Sequence, residues 1–278
     1  MTDVPLEEIP RTVDDEAGGE LLNFLVPICA LSPRESDADF RLIGSGTLVE
    51  ISGRHHILTA AHVWDATRHA DRIGLVLTTR HPSRFAMPRD TVTPRVLSGR
   101  GSLECWGPDL ALLEIAPVCV GVIRAHRSFL NLARQRESLG AQPPAIEKGY
   151  WAITGMVEEL SDVRSDSSSG IITANIEARA FFGGIRYSYE REGLDYLDFG
   201  AKPHLAGLRR SFGGMSGGGL WEIGLSRATD GVIRWSRHFR GVAFWEERES
   251  DDRMLVRCHG PQSVFDRAWT EWALPPSP

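Results

Sequence analysis

Five glycines flank one serine in the stretch from residue 212 to 221, which reads Phe-Gly-Gly-Met-Ser-Gly-Gly-Gly-Leu-Trp. Glycine on both sides of Ser216 allows backbone conformations that are closed to other residues and lets a second chain approach closely. A serine on such a turn, beside N–H groups that face the same space, has what a nucleophile and an oxyanion hole require. A phosphate-binding loop is the alternative, but that pattern ends in Gly-Lys-Ser/Thr and this stretch has no lysine.

Two other stretches carry residues that could act with this serine. The apolar run Ile-Leu-Thr-Ala-Ala-His ends at His62, and a histidine can take and return a proton near neutral pH. Asp109 begins the run Asp-Leu-Ala-Leu-Leu-Glu-Ile, where a poorly solvated carboxylate needs a partner. Taken alone, each of these two residues fits a structural role better than a catalytic one. Their order along the chain, histidine, aspartate and then serine, is that of the two-barrel serine proteases.

Composition narrows the class of protein. The 278 residues include 31 Lys and Arg against 37 Asp and Glu, a formal net charge of −6, which argues against a nucleic-acid partner. The first twenty residues hold seven acidic side chains and one basic one, unlike an export signal, and no apolar run is long enough for a membrane helix. Four widely spaced cysteines predict free thiols and a cytoplasmic protein. We expect no metal and no cofactor.

The distribution of apolar residues predicts an all-β protein with two β domains. Short apolar or alternating runs are separated by Gly, Pro, Asp and Ser turns. We expect a flexible acidic leader over residues 1–20, an N-terminal domain over 21–125 and an interdomain linker over 126–149. A C-terminal domain over 150–260 and a helix over 261–274 follow, the helix being indicated by apolar residues spaced along one face.

Four motifs together carry a family resemblance. They are Gly-Ser-Gly-Thr-Leu-Val at 44–49, Leu-Thr-Ala-Ala-His ending at His62, Asp-Leu-Ala-Leu-Leu beginning at Asp109, and Gly-Met-Ser-Gly-Gly around Ser216. With them the sequence resembles the trypsin-like (chymotrypsin-fold) serine peptidases of the bacterial stand-alone type, over about residues 23–272. The resemblance implies two antiparallel six-stranded β-barrels, closed by a C-terminal helix. Because two such barrels occupy most of the 278 residues, we expect no appended targeting domain.

The resemblance also implies a role for each matching residue. Ser216 matches the nucleophile, His62 the general base and later acid, and Asp109 the carboxylate that orients the imidazole. The backbone N–H groups of Gly214 and Ser216 match the oxyanion hole. The implied activity is a serine endopeptidase that forms an acyl-enzyme on a protein or peptide substrate.

The same resemblance marks a substrate-binding strand and two departures from the family. Trp245 matches one wall of the specificity pocket, with Phe244 and Glu246 beside it. Arg210 stands six positions before the nucleophile, at the place of the pocket floor, where it would favour an acidic substrate side chain, while the charge of Glu246 opposes this. Met215 replaces the acidic residue of zymogen-activated members, so their activation switch should be absent. Phe244 replaces a serine that supports the triad carboxylate, so that support must come from elsewhere or be missing.

Two other interpretations remain. The first is a latent or regulatory peptidase-like module, in which a partner protein or ligand must order the glycine-rich turn. The second is an α/β-hydrolase esterase, prompted by the Gly-x-Ser-x-Gly pattern around Ser216. That fold needs its acid and histidine after the serine, together with alternating strands and helices. The sequence lacks this alternation.

Overall fold

The computed structural model describes residues 8–31, 40–78, 84–98, 105–166, 171–201, 211–250 and 253–273. Within these ranges the chain is mostly β, as predicted. The strands are β1 (Leu25–Leu31), β2 (Phe40–Ile51), β3 (Arg54–Thr59), β4 (Arg72–Val76), β5 (Arg84–Pro88), β6 (Thr93–Ser98), β7 (Asp109–Glu114), β8 (Leu130–Asn131), β9 (Tyr150–Met156), β10 (Asp162–Asp166), β11 (Ile171–Asn175), β12 (Ala178–Arg191), β13 (Leu194–Ala201), β14 (Gly219–Arg227), β15 (Ile233–Ser250) and β16 (Arg253–His259). The helices are α1 (Arg11–Leu21), α2 (Ala61–Asp65), α3 (Pro117–Arg124), α4 (Leu132–Leu139), a π-helical segment (Ser263–Ala268) and α5 (Trp269–Ala273). Single 3-10 turns cover Leu22–Phe24, Arg89–Thr91 and Glu158–Leu160.

The first half of the chain builds an eight-stranded sheet that stays open. Seven strands follow the order β5-β4-β1-β2-β3-β7-β6, and β8 pairs with β2 in parallel. In the described stretches this sheet replaces the six-stranded barrel expected over residues 21–125. Each edge strand contains a proline, Pro88 in β5 and Pro94 in β6. Proline offers no N–H to a further strand, which weakens both edges as partners for ring closure.

The second half forms a closed six-stranded barrel. Its strand order, β12-β13-β16-β15-β14-β9, returns to its start, and every neighbouring pair is antiparallel. The long strand β15 pairs with β14 only as far as Val242, while β16 pairs with it along the remainder. Among the described strands, none pairs with the other edge of β15 beyond Val242. This free edge lies next to the glycine-rich turn before β14.

The two halves share a hydrophobic core. One buried cluster combines side chains of the first sheet, the barrel and the C-terminal helical segment. Full burial of a large apolar side chain contributes roughly 1.5–3 kcal/mol, so this shared cluster holds the halves together. Its members include Leu58, Leu110, Leu112, Trp221, Phe239, Val264, Phe265 and Trp272.

The prediction of a flexible leader over residues 1–20 is wrong for residues 11–20, which lie in α1. Val13, Ala17 and Leu21 recur every four positions and are buried, so they form one apolar helix face, and the helix packs on β12 and β15 of the barrel. Three of the acidic residues, Asp14, Glu16 and Glu20, bind polar barrel groups. Asp14 accepts a hydrogen bond of 2.5 Å from Tyr150, and Glu20 pairs with Arg237. Residues 1–7 lie outside the described part.

The linker expected over residues 126–149 contains β8 and α4 and is tied to the barrel. The Asn131 side chain caps α4 by accepting the Arg134 N–H at 2.9 Å. Glu222 of β14 accepts hydrogen bonds from the Ala145 N–H (2.8 Å) and from Arg240 (2.7 Å). The helix predicted for 261–274 is present as the π-helical segment and α5. Within the described ranges, no helix is both long and apolar enough to cross a membrane.

Candidate active site

His62 and Asp109 lie side by side where two neighbouring strands meet short turns. His62 follows β3 as the second residue of α2, and Asp109 is the first residue of β7. His62 Nδ1 lies 2.6 Å from Asp109 Oδ2, and the His62 backbone N–H donates to Asp109 Oδ1 at 2.9 Å. Since a carboxylate only accepts, Nδ1 carries the hydrogen in the neutral ring and the Nε2 lone pair stays free.

A second histidine, His259 at the end of β16, lies behind Asp109. Its Nε2 accepts the Asp109 backbone N–H at 3.1 Å, and its ring stacks on Phe244 with centroids 4.3 Å apart. Complete burial lowers the pKa of His259 to about 3, although the Asp109 charge opposes the shift. His259 is therefore neutral, with its hydrogen on Nδ1, which has no hydrogen-bond partner among the described residues. His259 thus supplies a contact from the barrel to the strand that carries Asp109.

Ser216 lies in a turn over residues 211–218, which we call the serine turn. Gly214 and Gly217 adopt φ values of +89° and +88°, in the left-handed region that favours glycine. At Gly217 an added Cβ would also overlap the Ser45 carbonyl oxygen and the Thr59 hydroxyl. The glycines are therefore required by the shape of the turn and by its close approach to the first sheet.

The N–H groups of the serine turn separate into paired and unpaired ones. Five backbone N–H groups donate to an acceptor within the protein. The Phe212 N–H donates to Glu246 Oε2 and the Gly213 N–H to Ser211 Oγ. The N–H groups of Met215, Gly217 and Gly218 donate to the carbonyls of Phe212, Ala243 and Met215, respectively. Between residues 212 and 218, the N–H groups without a partner in the described part of the protein are those of Gly214 and Ser216. An unpaired N–H in an otherwise paired turn is available to a ligand. These are the two groups predicted to form the oxyanion hole.

Ser45 of β2 joins the serine turn to both halves of the fold. Its N–H donates to the Ser216 carbonyl at 2.8 Å, and its Oγ donates to the Gly214 carbonyl at 2.7 Å. The same Oγ accepts the Met156 N–H of β9 at 2.7 Å. Ser45 is fully buried, so these polar contacts are protected from water and fix two carbonyl groups of the turn.

A pocket of about 240 Å³ opens beside Ser216 and His62. Three of the residues predicted to bind substrate, Phe244, Trp245 and Glu246, line it. Arg210, the fourth, lies outside the described residues. The other lining residues are mostly apolar, namely Phe212, Gly213, Met215, Ala243 and Val256. The pocket can therefore receive a side chain of a bound substrate next to the serine.

The structure brings His62, Asp109 and Ser216 to one place but does not link the serine to the histidine. Ser216 Oγ makes a long hydrogen bond of 3.5 Å to the Phe244 carbonyl. No hydrogen bond joins it to His62, although both are described and line the same pocket. Catalytic hydrogen bonds are often loose without substrate and tighten when it binds. The arrangement is a paired histidine and carboxylate with a serine within the same cleft.

Sequence reasoning missed Ser45 and His259 as parts of the site. Ser45 stood inside a recognised motif, but its side-chain contacts reach Gly214 and Met156, more than a hundred positions away. His259 follows Ser216 in the sequence, and its contact with Asp109 spans 150 positions. No local pattern signals either contact.

No cysteine lines the pocket beside Ser216 and His62, so no thiol competes with Ser216 as the nucleophile there. None of the four cysteines, all of which are described, forms a disulfide, and Cys29 and Cys258 are buried. Burial raises the pKa of Cys119 and of Cys258, which disfavours the reactive thiolate. In the parts of the chain that the structure describes, no three His, Cys, Asp or Glu side chains are grouped so that they could hold a metal ion.

No protein-family model matches the sequence, and no curated protein does either. Among solved structures, the chain is similar to the protease of tobacco vein mottling virus, with a TM-score of 0.41 and 10% identity over 92% of this chain and 82% of that one. It is also similar to a chain from work on the coupled folding and binding of the intrinsically disordered Sesbania mosaic virus VPg protein, with a TM-score of 0.41 and 14% identity over 86% and 88% of the two chains. Likenesses of this strength carry no information on the activity of this chain.

Proposed function

We propose that this chain is a serine endopeptidase of the trypsin-like (chymotrypsin-fold) type. The observation that carries the proposal is that the Gly214 and Ser216 N–H groups have no partner among the described residues, although the other amides from 212 to 218 are bonded. Ser216 lines the same pocket as His62, which pairs with Asp109. Assignment to the bacterial stand-alone branch rests on the sequence motifs alone.

The first half of the proposed reaction transfers the acyl group to the serine. Rotation about the Ser216 side chain brings Oγ from the Phe244 carbonyl toward His62 Nε2. Oγ then forms a bond to the scissile carbonyl carbon while its proton passes to Nε2. Asp109 keeps the Nδ1 hydrogen and stabilises the resulting imidazolium. The carbonyl oxygen becomes an oxyanion that accepts hydrogen bonds from the Gly214 and Ser216 N–H groups.

The second half releases the two products. The imidazolium returns its proton to the departing amine as the C–N bond breaks, which leaves an acyl-enzyme on Ser216. A water molecule then attacks the ester carbon, with His62 again taking the proton. Collapse of the second oxyanion breaks the bond to Oγ, and His62 returns the proton to the serine. No metal or cofactor takes part in these steps.

The free edge of β15 fits an extended peptide substrate. The pairing of this edge with β14 ends at Val242, and no other described strand pairs with it beyond that residue. A substrate segment could therefore pair with the backbone of Trp245 and its neighbours as an added strand. Its side chain next to the scissile bond would enter the apolar pocket between Phe212 and Val256. The substrate class is accordingly an unfolded protein or a peptide.

A latent module that needs an activating partner is the second candidate. The missing Ser216–His62 hydrogen bond favours it, whereas the contacts of Ser45 and Glu246 that hold the serine turn favour an active resting state. The described sheets do not fit an α/β-hydrolase, because they are antiparallel except for the short β2–β8 pair.

Cleavage of a peptide library, read by mass spectrometry as new termini, tests the proposal. Wild type should cut, and Ser216→Ala and His62→Ala should each lose at least about a thousandfold in kcat/KM. Ser188→Ala, at an exposed serine of β12, is the matched control and should cut like wild type. Cleavage that survives in Ser216→Ala would overturn the proposal. Cleavage that appears only on adding a cell extract, and depends on Ser216, would support the latent form.

A further inference from the structure

A carboxylate on β15 anchors the serine turn. Glu246 Oε2 accepts the Phe212 N–H at 2.6 Å, and Glu246 Oε1 accepts the Ser211 hydroxyl at 2.5 Å. The Ser211 Oγ in turn accepts the Gly213 N–H at 2.8 Å. Hydrogen bonds to an ionised acceptor are shorter and about twice as strong as neutral ones. The Glu246 side chain thus restrains the first three residues of the turn, two directly and Gly213 through Ser211.

This anchor acts on the peptide that directly precedes the one carrying the Gly214 N–H, a proposed oxyanion-hole donor. Gly213 is held at its N–H through Ser211 and at its carbonyl by the Glu158 N–H, at 2.9 Å. In a trans peptide the next N–H points opposite to the carbonyl, so fixing the Gly213 carbonyl fixes the direction of the Gly214 N–H. Neither glycine has a side chain that could hold this peptide by packing.

The other residues of the turn cannot supply the same restraint. Met215 is 1% exposed and lies in the barrel core with Phe212, and it brings no charge to the turn. Both oxygens of Glu246 are already engaged by groups of the protein. They are therefore not free to pair with a cationic substrate side chain, although Glu246 lines the pocket.

We propose that Glu246 is a positioning residue, whose carboxylate, directly and through Ser211, holds the Phe212–Gly213 peptide. Rotation at Gly213 is thereby limited, and the next peptide, Gly213–Gly214, keeps the orientation that the oxyanion hole needs. The inference rests on the proposed peptidase function. It replaces the substrate-binding role that the sequence motifs implied for Glu246 by a role inside the catalytic turn.

Two measurements on Glu246→Ala test this proposal. Hydrogen exchange of the Phe212 and Gly213 amides should become at least about tenfold faster than in wild type, because both lose their restraint. For a peptide substrate, kcat should fall by about 10²–10³-fold with little change in KM, as on loss of an oxyanion-hole donor. Glu246→Gln retains one acceptor and should lose less. The matched control is Glu247→Ala, at the exposed neighbouring residue, which should behave like wild type in both measurements.

The variant Ser211→Ala tests the same chain of contacts with a smaller change. It should lower kcat, and combining it with Glu246→Ala should add almost nothing, because both changes break one path. Fully additive losses would overturn the proposal, as would unchanged hydrogen exchange in Glu246→Ala. A changed KM or substrate preference at unchanged kcat would make Glu246 a pocket wall instead. Wild type that neither cleaves nor is labelled at Ser216 would instead overturn the proposed function, while the exchange measurement would still report on the anchor.

Discussion

Replacing Asp109 by asparagine changes the two contacts that orient His62. The carboxylate accepts the His62 backbone N–H at Oδ1 and the ring Nδ1–H at Oδ2. An asparagine of the same shape has one acceptor and one donor in these places. Both contacts can be kept only if the amide oxygen accepts the backbone N–H and the amide nitrogen donates to Nδ1. The ring hydrogen then moves to Nε2, the nitrogen that must accept the proton of Ser216.

The expected loss is large because the wrong tautomer removes the base. The same substitution in the two-barrel serine proteases lowers kcat by about 10⁴-fold, or roughly 5.5 kcal/mol of transition-state stabilisation. Here the 2.6 Å contact between His62 and a carboxylate that is 8% exposed supports an effect of that size. Asp109 does not line the pocket, so KM should change little.

Steady-state hydrolysis of the best library peptide by wild type and Asp109→Asn measures this loss. Glu114→Gln, at the other end of β7 and paired with exposed Arg54, is the matched control and should retain full activity. Thermal unfolding of both variants checks that the fold survives. A folded Asp109→Asn protein with kcat within tenfold of wild type would refute the assignment of the His62–Asp109 pair.

Three further predictions concern stability. Burial lowers the pKa of His259 to about 3 and that of His56 to about 4, from an ordinary 6.5. Between pH 6.5 and 4 the unfolded chain binds these protons and the folded protein does not. As the pH is lowered through this range, the free energy of unfolding should therefore fall by up to about 1.4 kcal/mol per pH unit for each histidine. The slope should be shallower in His56→Gln, and an equal slope would count against this account. Asp198→Asn breaks a buried bidentate pair at 2.8 and 2.9 Å and should cost about 3–5 kcal/mol in urea unfolding; a cost under about 1 kcal/mol would contradict it. Gly217→Ala combines positive φ with steric overlap and should lower the unfolding temperature much more than Gly231→Ala, where φ is also positive but the space is open; equal shifts would show that the close approach is unimportant.

The local elements of the site could be predicted because they depend on short-range patterns. The apolar run before His62 forms β3 and ends in α2. The run that begins at Asp109 forms β7, and the glycines around Ser216 form a turn with two positive φ angles. Alternation and turn residues carry this information within a few positions.

Features that depend on distant parts of the chain could not be predicted. The helix α1 was not predicted, because acidic residues stand between its apolar positions. Its stability comes from packing on the barrel. Closure of the first sheet depends on how its edge strands meet, and the sheet stays open in the described stretches. The support of Asp109 by His259 and of the serine turn by Ser45 appears only when strands far apart in the chain become neighbours.

The central claim, that Ser216 is an activated nucleophile, is tested most directly by the mass of the protein after treatment with a fluorophosphonate. We predict one adduct per chain, located on the peptide that contains Ser216, absent in Ser216→Ala and formed far more slowly in Asp109→Asn. The adduct requires both the nucleophile and the oxyanion-hole donors, so it reports on the assembled site. Folded wild-type protein that acquires no adduct at Ser216, with or without cell extract, would contradict the claim.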